Sequence, residues 1–478
     1  MASSLVRDSG QLFKELEESI EEIWDIAHRL GLDPFPTHFE VVPASIMYEF
    51  GAYGLPGRFS HWTHGKAYQR MKMMYDYGLS KIYELVVNTN PAYAFLMDAN
   101  SMLQNKLVAA HVLAHSDFFK NNMYFRHTSR QMIEGASINA ERIRKYEFQH
   151  GRLEVEQFLD KVLSIEEHVD PNLALRPKDW DPGQRETTRT RRETAYDDLF
   201  RLDGGSEAEI TDEQPGRKRF PPEPEKDLLL FIAEHSRYLE EWQRDIIQMV
   251  RNEQLYFVPQ MQTKIMNEGW ASYWHREIMR ELELTEEEYV QFANLNASVL
   301  APSAQQINPY YVGVKIFESI KKRWDSPTER EIRELGRTPG QGLAKMFETR
   351  ELDDDVSFLR NYLTKDLVSE LDLYIYKREG DQLVIVEKDW ERIRDMLVAN
   401  LTNFGVPYIV VEDADFRRNG ELYLKHLYEG QEIDIKYAER TLEAVFSLWS
   451  RPVHLETVLD DRALLLSYDG ERASQSYL

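Results

Sequence analysis

The stretch HVLAHSDFFKNN, residues 111–122, places two histidines four positions apart in an apolar segment that is typical of a buried helix. Residues four apart lie on one face of an α-helix, one above the other. His111 and His115 therefore have the spacing by which helical H-E-x-x-H motifs hold zinc. Buried imidazoles need polar partners, because an unpaired polar group costs about 1–3 kcal/mol. The spacing predicts a metal site, or else two histidines that hydrogen-bond to carboxylates or backbone.

Apolar residues recur at three- and four-residue steps on both sides of this stretch, which predicts a mainly α N-terminal domain over residues 1–350. The segments with a helical pattern are 9–31, 67–88, 91–120, 129–163, 227–252, 260–281 and 311–323. Residues 170–226 interrupt this pattern with proline, glycine and charge. That composition predicts an exposed excursion, in which residues 182–226 form either a lid or a loose linker.

The last part of the chain has a different pattern. Short runs rich in β-branched and aromatic residues alternate with two helical stretches, near 389–403 and 435–449, in the order ββ-α-ββ-α-ββ. We predict a small α+β C-terminal domain over residues 365–478. Its sequence has no concentrated group of catalytic residue types, so we expect it to serve binding or assembly.

The composition excludes several classes of protein. Lys and Arg number 58 against 82 Asp and Glu, a net charge of −24, which argues against a nucleic-acid binder. The absence of cysteine excludes disulfides and leaves His, Asp, Glu and Tyr as metal ligands. The sequence has neither the apolar core of a signal peptide nor a run of 18 apolar residues. We therefore expect a cytoplasmic protein without membrane insertion.

A second polar group lies in KIMNEGWASYWH, residues 264–275. Glu268 and His275 are seven positions apart, two helical turns, and so share a face. Gly269 costs about 1 kcal/mol in the interior of a helix. A glycine at this position indicates that another backbone approaches the helix closely, or that packing requires it.

Two glutamates compete as the third metal ligand. The E-G-W-A segment resembles that of carboxypeptidase-Taq-like metallopeptidases, which implies Glu268 as the third zinc ligand beside His111 and His115. Glu141 is the alternative, because it lies 30 residues after His111 in the next predicted helix. Zinc is the expected ion, although histidine and carboxylate ligands also suit manganese and iron.

The residue after His111 departs from the zinc-peptidase pattern. H-E-x-x-H enzymes carry a glutamate there, which takes a proton from the attacking water, whereas this chain has Val112. Valine cannot accept a proton, so catalysis requires another carboxylate. Glu141 would fill this role if Glu268 is the ligand.

Four other residues are candidates for supporting roles. His275 and His235 would supply an acid or a further ligand. Tyr310 or Tyr311, in NPYYVG, would stabilise an oxyanion beside a metal. The alternative for each tyrosine is an amphipathic side chain that fills the core.

Two further motifs remain open. The stretch GLPGRFSHWTHGKAYQR, residues 54–70, carries Arg58, His61 and Lys66 and predicts either a loop that binds an anionic group or a structural loop. An E-x-x-H motif occurs at residues 147–150, but a dimetal site needs paired copies of this motif and the sequence has one.

Four stretches together identify the chain as a member of the SpoVR family, named for stage V sporulation protein R. They are YEFGAYGLPGRFSHW, AYQRMKMMYDYGLSKIYELVVNTNPAYAFL, HVLAHSDFFKNN and KIMNEGWASYWH. The resemblance covers nearly the whole chain, and Val112 matches the family's own H-V-x-x-H form. It implies a link to spore cortex formation and a stress-response assembly with a PrkA-type serine kinase and a von Willebrand-type protein.

Two functions from different classes follow. The first is a zinc-dependent hydrolase of a peptide or peptidoglycan-type amide. Its metal ligands would be His111, His115 and Glu268, and its catalytic residues Glu141, His275 and Tyr310. The second is a catalytically degenerate metallopeptidase-like scaffold whose C-terminal domain docks a kinase-containing complex. Val112 favours the second function, and amide turnover that is lost in His111→Ala would favour the first.

Overall fold

The computed structural model describes residues 9–77, 84–173, 219–302, 307–379 and 382–478. Contacts between residues divide the chain into two compact units. Unit 1 comprises Met1–Gln157 and Asn252–Val406, and unit 2 comprises Phe158–Arg251 and Pro407–Leu478.

The described residues are mainly helical in the N-terminal part and mix strands with helices in the C-terminal part, as predicted, and three further strands lie near the start. The helices are α1 Ser9–Arg29, α2 Ala44–Tyr53, α3 Trp62–Asp76, α4 Met102–Asn121, α5 Met132–His150, α6 Arg152–Leu163, α7 Leu228–His235, α8 Glu241–Gln262, α9 Lys264–Glu281, α10 Glu286–Val299, α11 Pro309–Asp325, α12 Glu329–Leu335, α13 Gly342–Leu352, α14 Asp355–Tyr362, α15 Lys365–Glu370, α16 Trp390–Leu401 and α17 Ile435–Trp449. The strands are β1 Thr37–Val42, β2 Glu84–Val87, β3 Ala92–Met97, β4 Ile375–Glu379, β5 Gln382–Glu387, β6 Ile409–Phe416, β7 Glu421–His426, β8 Val453–Leu459, β9 Arg462–Tyr468 and β10 Ala473–Tyr477.

A three-stranded sheet in unit 1 corrects part of the helical prediction for 67–88 and 91–120. Its order is β1-β3-β2, with β1 parallel and β2 antiparallel to the central β3. The runs ELVV and AYAFLM are too short and too uniformly apolar for a hydrophobic period to separate strand from helix. The correction matters for the site, because β2 begins with Glu84.

The core of unit 1 forms around α4. A capping box starts this helix, because Ser101 Oγ accepts from the Gln104 backbone N–H and the Gln104 side chain accepts from the Ser101 N–H. All residues from 108 to 119 are buried. The small side chains of Ala109, Ala110 and Ala114 belong to the same hydrophobic core as residues of α1 and α9. Helix α4 is therefore enclosed, and its polar side chains need partners inside the protein.

Helices α9 and α11 touch through two glycines. A Cβ atom built on Gly269 would lie 2.4 Å from the backbone carbon of Gly313, and one built on Gly313 would lie 2.3 Å from the Ile265 carbonyl oxygen. No side chain fits between these backbones. The close approach predicted from Gly269 is confirmed.

The C-terminal strands and helices follow the predicted ββ-α-ββ-α-ββ order, with the additional strand β10 at the end. The five-stranded sheet of unit 2 has the order β10-β9-β8-β7-β6, and only β7 and β8 are parallel. The hairpin β4–β5 and α16 belong to unit 1, because Ile393, Leu397 and Val398 of α16 join its helical core. This division differs from the predicted boundary between residues 350 and 365.

The predicted excursion at 170–226 is described only in part. Residues 174–218 lie outside the described residues, so the choice between a lid and a linker stays a prediction. Among the helices of the described ranges, none is both long enough and apolar enough to cross a membrane.

Candidate metal centre

His111 and His115 lie one turn apart on α4 and are buried, with 6% and 5% of their surface exposed. Their ring centroids are 4.6 Å apart. The Nε2 atoms of both rings face the carboxylate of Glu268 on α9, at 3.8 Å for His111 and 3.5 Å for His115, measured to Oε2. The packing of α4 against α9 thus brings together the three residues predicted as metal ligands.

Glu84 is a fourth member of this cluster. Its Oε1 lies 3.8 Å from His111 Nε2. One ligand atom from each of Glu84, His111 and His115 lies within 4.8 Å of the others, a grouping that would suit a metal ion. Glu84 approaches from strand β2, whereas the other ligands approach from helices.

The Oε2 atom of Glu268 is buried and has no hydrogen-bond partner among the described residues. Such an atom costs free energy unless something binds it. Four ligands held tetrahedrally about 2.1 Å from an ion stand about 3.4 Å apart. The observed separations of 3.5 and 3.8 Å between Oε2 and the histidine nitrogens are close to that value. The donor set therefore fits a divalent cation.

Charge is distributed unevenly within the cluster. Burial lowers the pKa of His111, but the charges of Glu84 and Glu268 outweigh burial and raise it overall. Burial, together with the charge of His111, lowers the pKa of His115 to about 4. Burial raises the pKa of Glu84, whereas in Glu268 the two histidines overcome burial and lower it. Two carboxylates thus compete for one histidine charge, and a divalent cation would neutralise both.

The inner nitrogens of the two rings contact polar side chains. His115 Nδ1 lies 2.8 Å from Asn267 Oδ1, which accepts its hydrogen bond. His111 Nδ1 lies 2.8 Å from His275 Nδ1, and His275 Nε2 lies 3.0 Å from Asn296 Oδ1. His275, a predicted catalytic residue, therefore lies behind His111, on the opposite side of the ring from Glu268. Partners of this kind hold a metal-binding imidazole in one orientation.

Tyr310 lies beside the cluster. Asn308 caps α11 by accepting from the Tyr310 and Tyr311 backbone N–H groups. Tyr310 lies near enough to Glu268 to feel the charge of its carboxylate, and its ring stacks on His111 with centroids 6.2 Å apart. Burial, followed by the charge of Glu268, raises the pKa of Tyr310. Tyr310 therefore stays protonated and keeps a hydrogen to donate.

A cavity of about 390 Å³ opens onto the cluster. Its polar side includes Glu84, His111, Tyr310 and Gln104. Its apolar side comprises Leu107 and Val108 of α4 and Leu295 and Val299 of α10. The volume is within the range of small-molecule sites, so a substrate fragment would fit beside the carboxylates.

Several predicted residues lie elsewhere. Glu141 is exposed on α5, while the carboxylate charges that act on the two histidines are those of Glu84 and Glu268. His235 belongs to unit 2, where its ring contacts Phe231 with centroids 4.6 Å apart.

Val112 and Tyr311, both discussed above as parts of a catalytic site, pack in the hydrophobic core. Val112 is fully buried in an apolar cluster with Leu16, Ala94 and Leu96. A glutamate at that position would have to bury its charge among these residues. Tyr311 packs against the helical core, in the structural role considered for it.

The basic segment of residues 54–70 is held in unit 1 by an ion pair between Arg58 and Glu253. Arg58 Nε donates to Glu253 Oε2 at 2.7 Å, and Glu253 is fully buried. Asn139 donates to the other oxygen of Glu253 at 3.2 Å. The guanidinium of Arg58 thus compensates a buried carboxylate, which favours the structural interpretation of this loop.

Two aspartates fix α9 relative to its neighbours. Asp355 accepts from the backbone N–H groups of Ile265 and Met266, both at 2.8 Å, and so caps the start of α9. Asp117, two residues after His115, accepts from Trp270 Nε1 at 2.9 Å. These bonds position Glu268 opposite the histidines.

Sequence reasoning missed four residues of the site: Glu84, Asn267, Asn296 and the capping Asp355. Glu84 was missed because its segment was predicted to be helical, and that prediction gave no reason to place it near His111. Asn267 directly precedes Glu268 and could have been found by asking what holds the inner nitrogen of each histidine. Asn296 and Asp355 reach the site through tertiary packing and carry no sequence signal.

Comparisons with known proteins cover most of the chain. A family model described as "SpoVR like protein" matches residues 10–406, and one described as "SpoVR-like C-terminal domain" matches residues 407–461. The chain is 29% identical over 484 residues to "Uncharacterized protein YcgB" of Escherichia coli (strain K12), in an alignment that covers 95% of this chain and 94% of that protein. No solved structure matches. The predicted likeness to metallopeptidases therefore stays a prediction.

Proposed function

This chain belongs to the SpoVR family, and from that premise we propose that unit 1 is a divalent-metal-dependent hydrolase of an amide bond in a peptide or peptidoglycan-type substrate. The observation that supports it most is the buried, unpaired Glu268 Oε2 that faces the Nε2 atoms of His111 and His115. These three side chains would hold the ion, zinc being the expected one. The ion would supply Lewis acidity toward a substrate carbonyl and a water.

Glu84 would act as the general base that position 112 lacks. Its carboxylate borders the cavity and comes from strand β2, whereas Glu268 comes from helix α9. It would take a proton from the attacking water as the water oxygen bonds to the amide carbon. It would then pass that proton to the nitrogen as the carbon–nitrogen bond breaks, so that atoms and charge balance.

Tyr310 would stabilise the carbonyl oxygen during this step. Its raised pKa keeps the hydroxyl protonated at neutral pH. It would donate that hydrogen to the developing negative charge on the oxygen. His275 would orient His111 and would not transfer a proton to the substrate, because both of its ring nitrogens are engaged.

The position of Glu84 beside the two histidines supports the alternative, a regulatory or scaffold protein. If Glu84 binds the ion as a fourth ligand, the coordination is closed, as in structural zinc sites. The protein would then act through its partners, which we propose to be a PrkA-type serine kinase and a von Willebrand-type protein, in a sporulation or stress-response assembly.

The test is the metal content of the untagged protein, measured by elemental mass spectrometry after loading with zinc. We expect about one equivalent in the wild type and its loss in His111→Ala and Glu268→Gln. Glu141→Gln serves as the matched control, because this exposed glutamate was the competing ligand, and it should keep the ion. A wild type that binds no ion after loading would refute the proposal.

Glu84→Gln separates the two functions. For the hydrolase, this variant keeps its zinc while amide turnover falls by about 10²–10⁴-fold, the usual contribution of a general base. For the closed site, the variant loses zinc. Turnover would be measured on a panel of peptide and muropeptide amides, with His111→Ala as the inactive reference.

A further inference from the structure

A chain of three buried or partly buried side chains runs behind the candidate metal site. It joins His111 on α4, His275 on α9 and Asn296 on α10 through contacts of 2.8 and 3.0 Å. His275 is 2% exposed, and within the described part of unit 1 its ring nitrogens hydrogen-bond to these two side chains. The positions of the hydrogens along this chain decide which nitrogen of His111 carries a lone pair.

The hydrogen positions follow from the hydrogen-bond network. Asn296 Oδ1 only accepts, so His275 Nε2 must carry a hydrogen. A neutral imidazole has one N–H, which leaves His275 Nδ1 as an acceptor. A charged His275 would have two hydrogens, but it is buried and its two contacts are to an imidazole and an amide, so nothing compensates that charge. His111 Nδ1 therefore donates to His275.

We propose that Asn296 and His275 are positioning residues that hold a hydrogen of His111 on Nδ1, so that Nε2 is the nitrogen that loses its hydrogen and turns a lone pair toward Glu84 and Glu268 when an ion binds. This inference rests on the proposed function, since the lone pair would bind the metal ion. It gives His275 a role distinct from the acid expected from the sequence. His115 reaches the same state by a shorter route, through Asn267 Oδ1.

The orientation of one amide separates this arrangement from its opposite. If the Asn296 amide were turned over, its NH₂ group would donate to His275 Nε2. His275 Nδ1 would then donate to His111 Nδ1, and the hydrogen of His111 would lie on Nε2, where it would block metal binding. Replacing Asn296 with a group that only accepts, or with none, distinguishes the two.

The first measurement is zinc affinity, by competition with a chelating dye, in the full-length chain. We expect Asn296→Leu to weaken binding by about 10–100-fold, the usual effect of losing such a partner. Asn296→Asp can only accept, so it should bind zinc within a few-fold of the wild type. Asn294→Leu is the matched control, because Asn294 is exposed on the same helix, and it should change nothing.

The second measurement is the ¹⁵N shift of the His275 ring nitrogens in metal-free protein with labelled histidine, assigned with His275→Phe. We expect a hydrogen on Nε2 and a lone pair on Nδ1. A hydrogen on Nδ1 would overturn the proposal, as would equal weakening in Asn296→Asp and Asn296→Leu. If the wild type bound no zinc, the proposed function would fail, and the ring shifts would still decide whether this hydrogen-bond chain has the stated direction.

Discussion

Each unit holds a buried cluster of histidine and glutamate, and the two clusters differ in what their polar atoms contact. In unit 2, His454 on β8 lies between Ser467 Oγ, 2.7 Å from Nδ1, and Glu421 Oε2, 3.0 Å from Nε2. Asn419 donates to the second oxygen of Glu421 at 2.6 Å. Both ring nitrogens and both carboxylate oxygens therefore have partners.

In unit 1 the inner nitrogens are paired in the same way, but the outer ones are not. The Nε2 atoms of His111 and His115 face Glu268 Oε2 at 3.8 and 3.5 Å, longer than ordinary hydrogen bonds. A fully paired cluster stabilises the fold, whereas an incompletely paired one costs stability that a ligand can restore. Pairing, more than burial or residue type, separates a candidate site from a structural network.

The largest expected effect of this difference is a response to zinc. A ligand at 1,000 times its dissociation constant raises the free energy of unfolding by about 4 kcal/mol. We expect this increase in the wild type and its absence in His115→Ala. His454→Ala should lower the baseline stability, because it removes the hydrogen bond between His454 and Glu421, and yet show the full increase with zinc.

Denaturant unfolding with and without zinc measures both quantities, and a chelator should reverse the increase. If His115→Ala gained as much stability from zinc as the wild type, the ion would bind elsewhere and the contrast between the clusters would be lost.

The helical half of the unit 1 cluster could be predicted from the sequence. The four-residue spacing of His111 and His115 and the seven-residue spacing of Glu268 and His275 are properties of single helices, and local periodicity records them. Gly269 also had a local signature, because a glycine inside a helix indicates close packing. These predictions needed no knowledge of which helices are neighbours.

The other half of the cluster could not be predicted in that way. Glu84 reaches His111 only because β2 lies at the edge of a sheet, and its four-residue run gave no period. Glu141 was chosen for its spacing from His111, but α5 turns that residue to solvent. Asn296 reaches His275 only because α10 packs beside α9, and the spacing of residues in the sequence does not reveal which helices are neighbours.

The second effect should have opposite signs in the two clusters. Without metal, Glu84→Gln removes a buried charge that shares one histidine with Glu268. Folding disfavours that charge, because burial raises the pKa of Glu84, so we expect the free energy of unfolding to rise by about 1–2 kcal/mol. Glu421→Gln weakens charge-assisted hydrogen bonds to His454 and Asn419, so we expect a fall of about 1–3 kcal/mol.

Chemical denaturation in the presence of a chelator measures both changes under one condition. A loss of stability in both variants would mean that the Glu84 carboxylate is as well satisfied as that of Glu421. The metal-free site would then contain no destabilising negative charge for a cation to neutralise.

The smallest effect concerns His64, a buried histidine that is paired less fully than His454 but lies outside the candidate metal site. His64 Nδ1 contacts the Phe59 carbonyl oxygen at 3.2 Å. Burial, with the charge of Arg58, lowers the pKa of His64 to about 4, below the unfolded value of about 6.5. Between these two pH values the unfolded chain binds more protons than the folded chain. The contribution of His64 to stability is therefore present above pH 6.5 and is lost as the pH falls toward 4.

His64→Gln should remove this part of the acid sensitivity. We expect the fall in unfolding free energy between pH 7 and pH 5 to be smaller than in the wild type by an amount on the order of 1 kcal/mol. His28→Gln, at an exposed position of α1, is the control and should match the wild type. An unchanged fall in His64→Gln would mean that a buried histidine with one good partner is already as well satisfied as His454, and that burial alone does not set its response to pH.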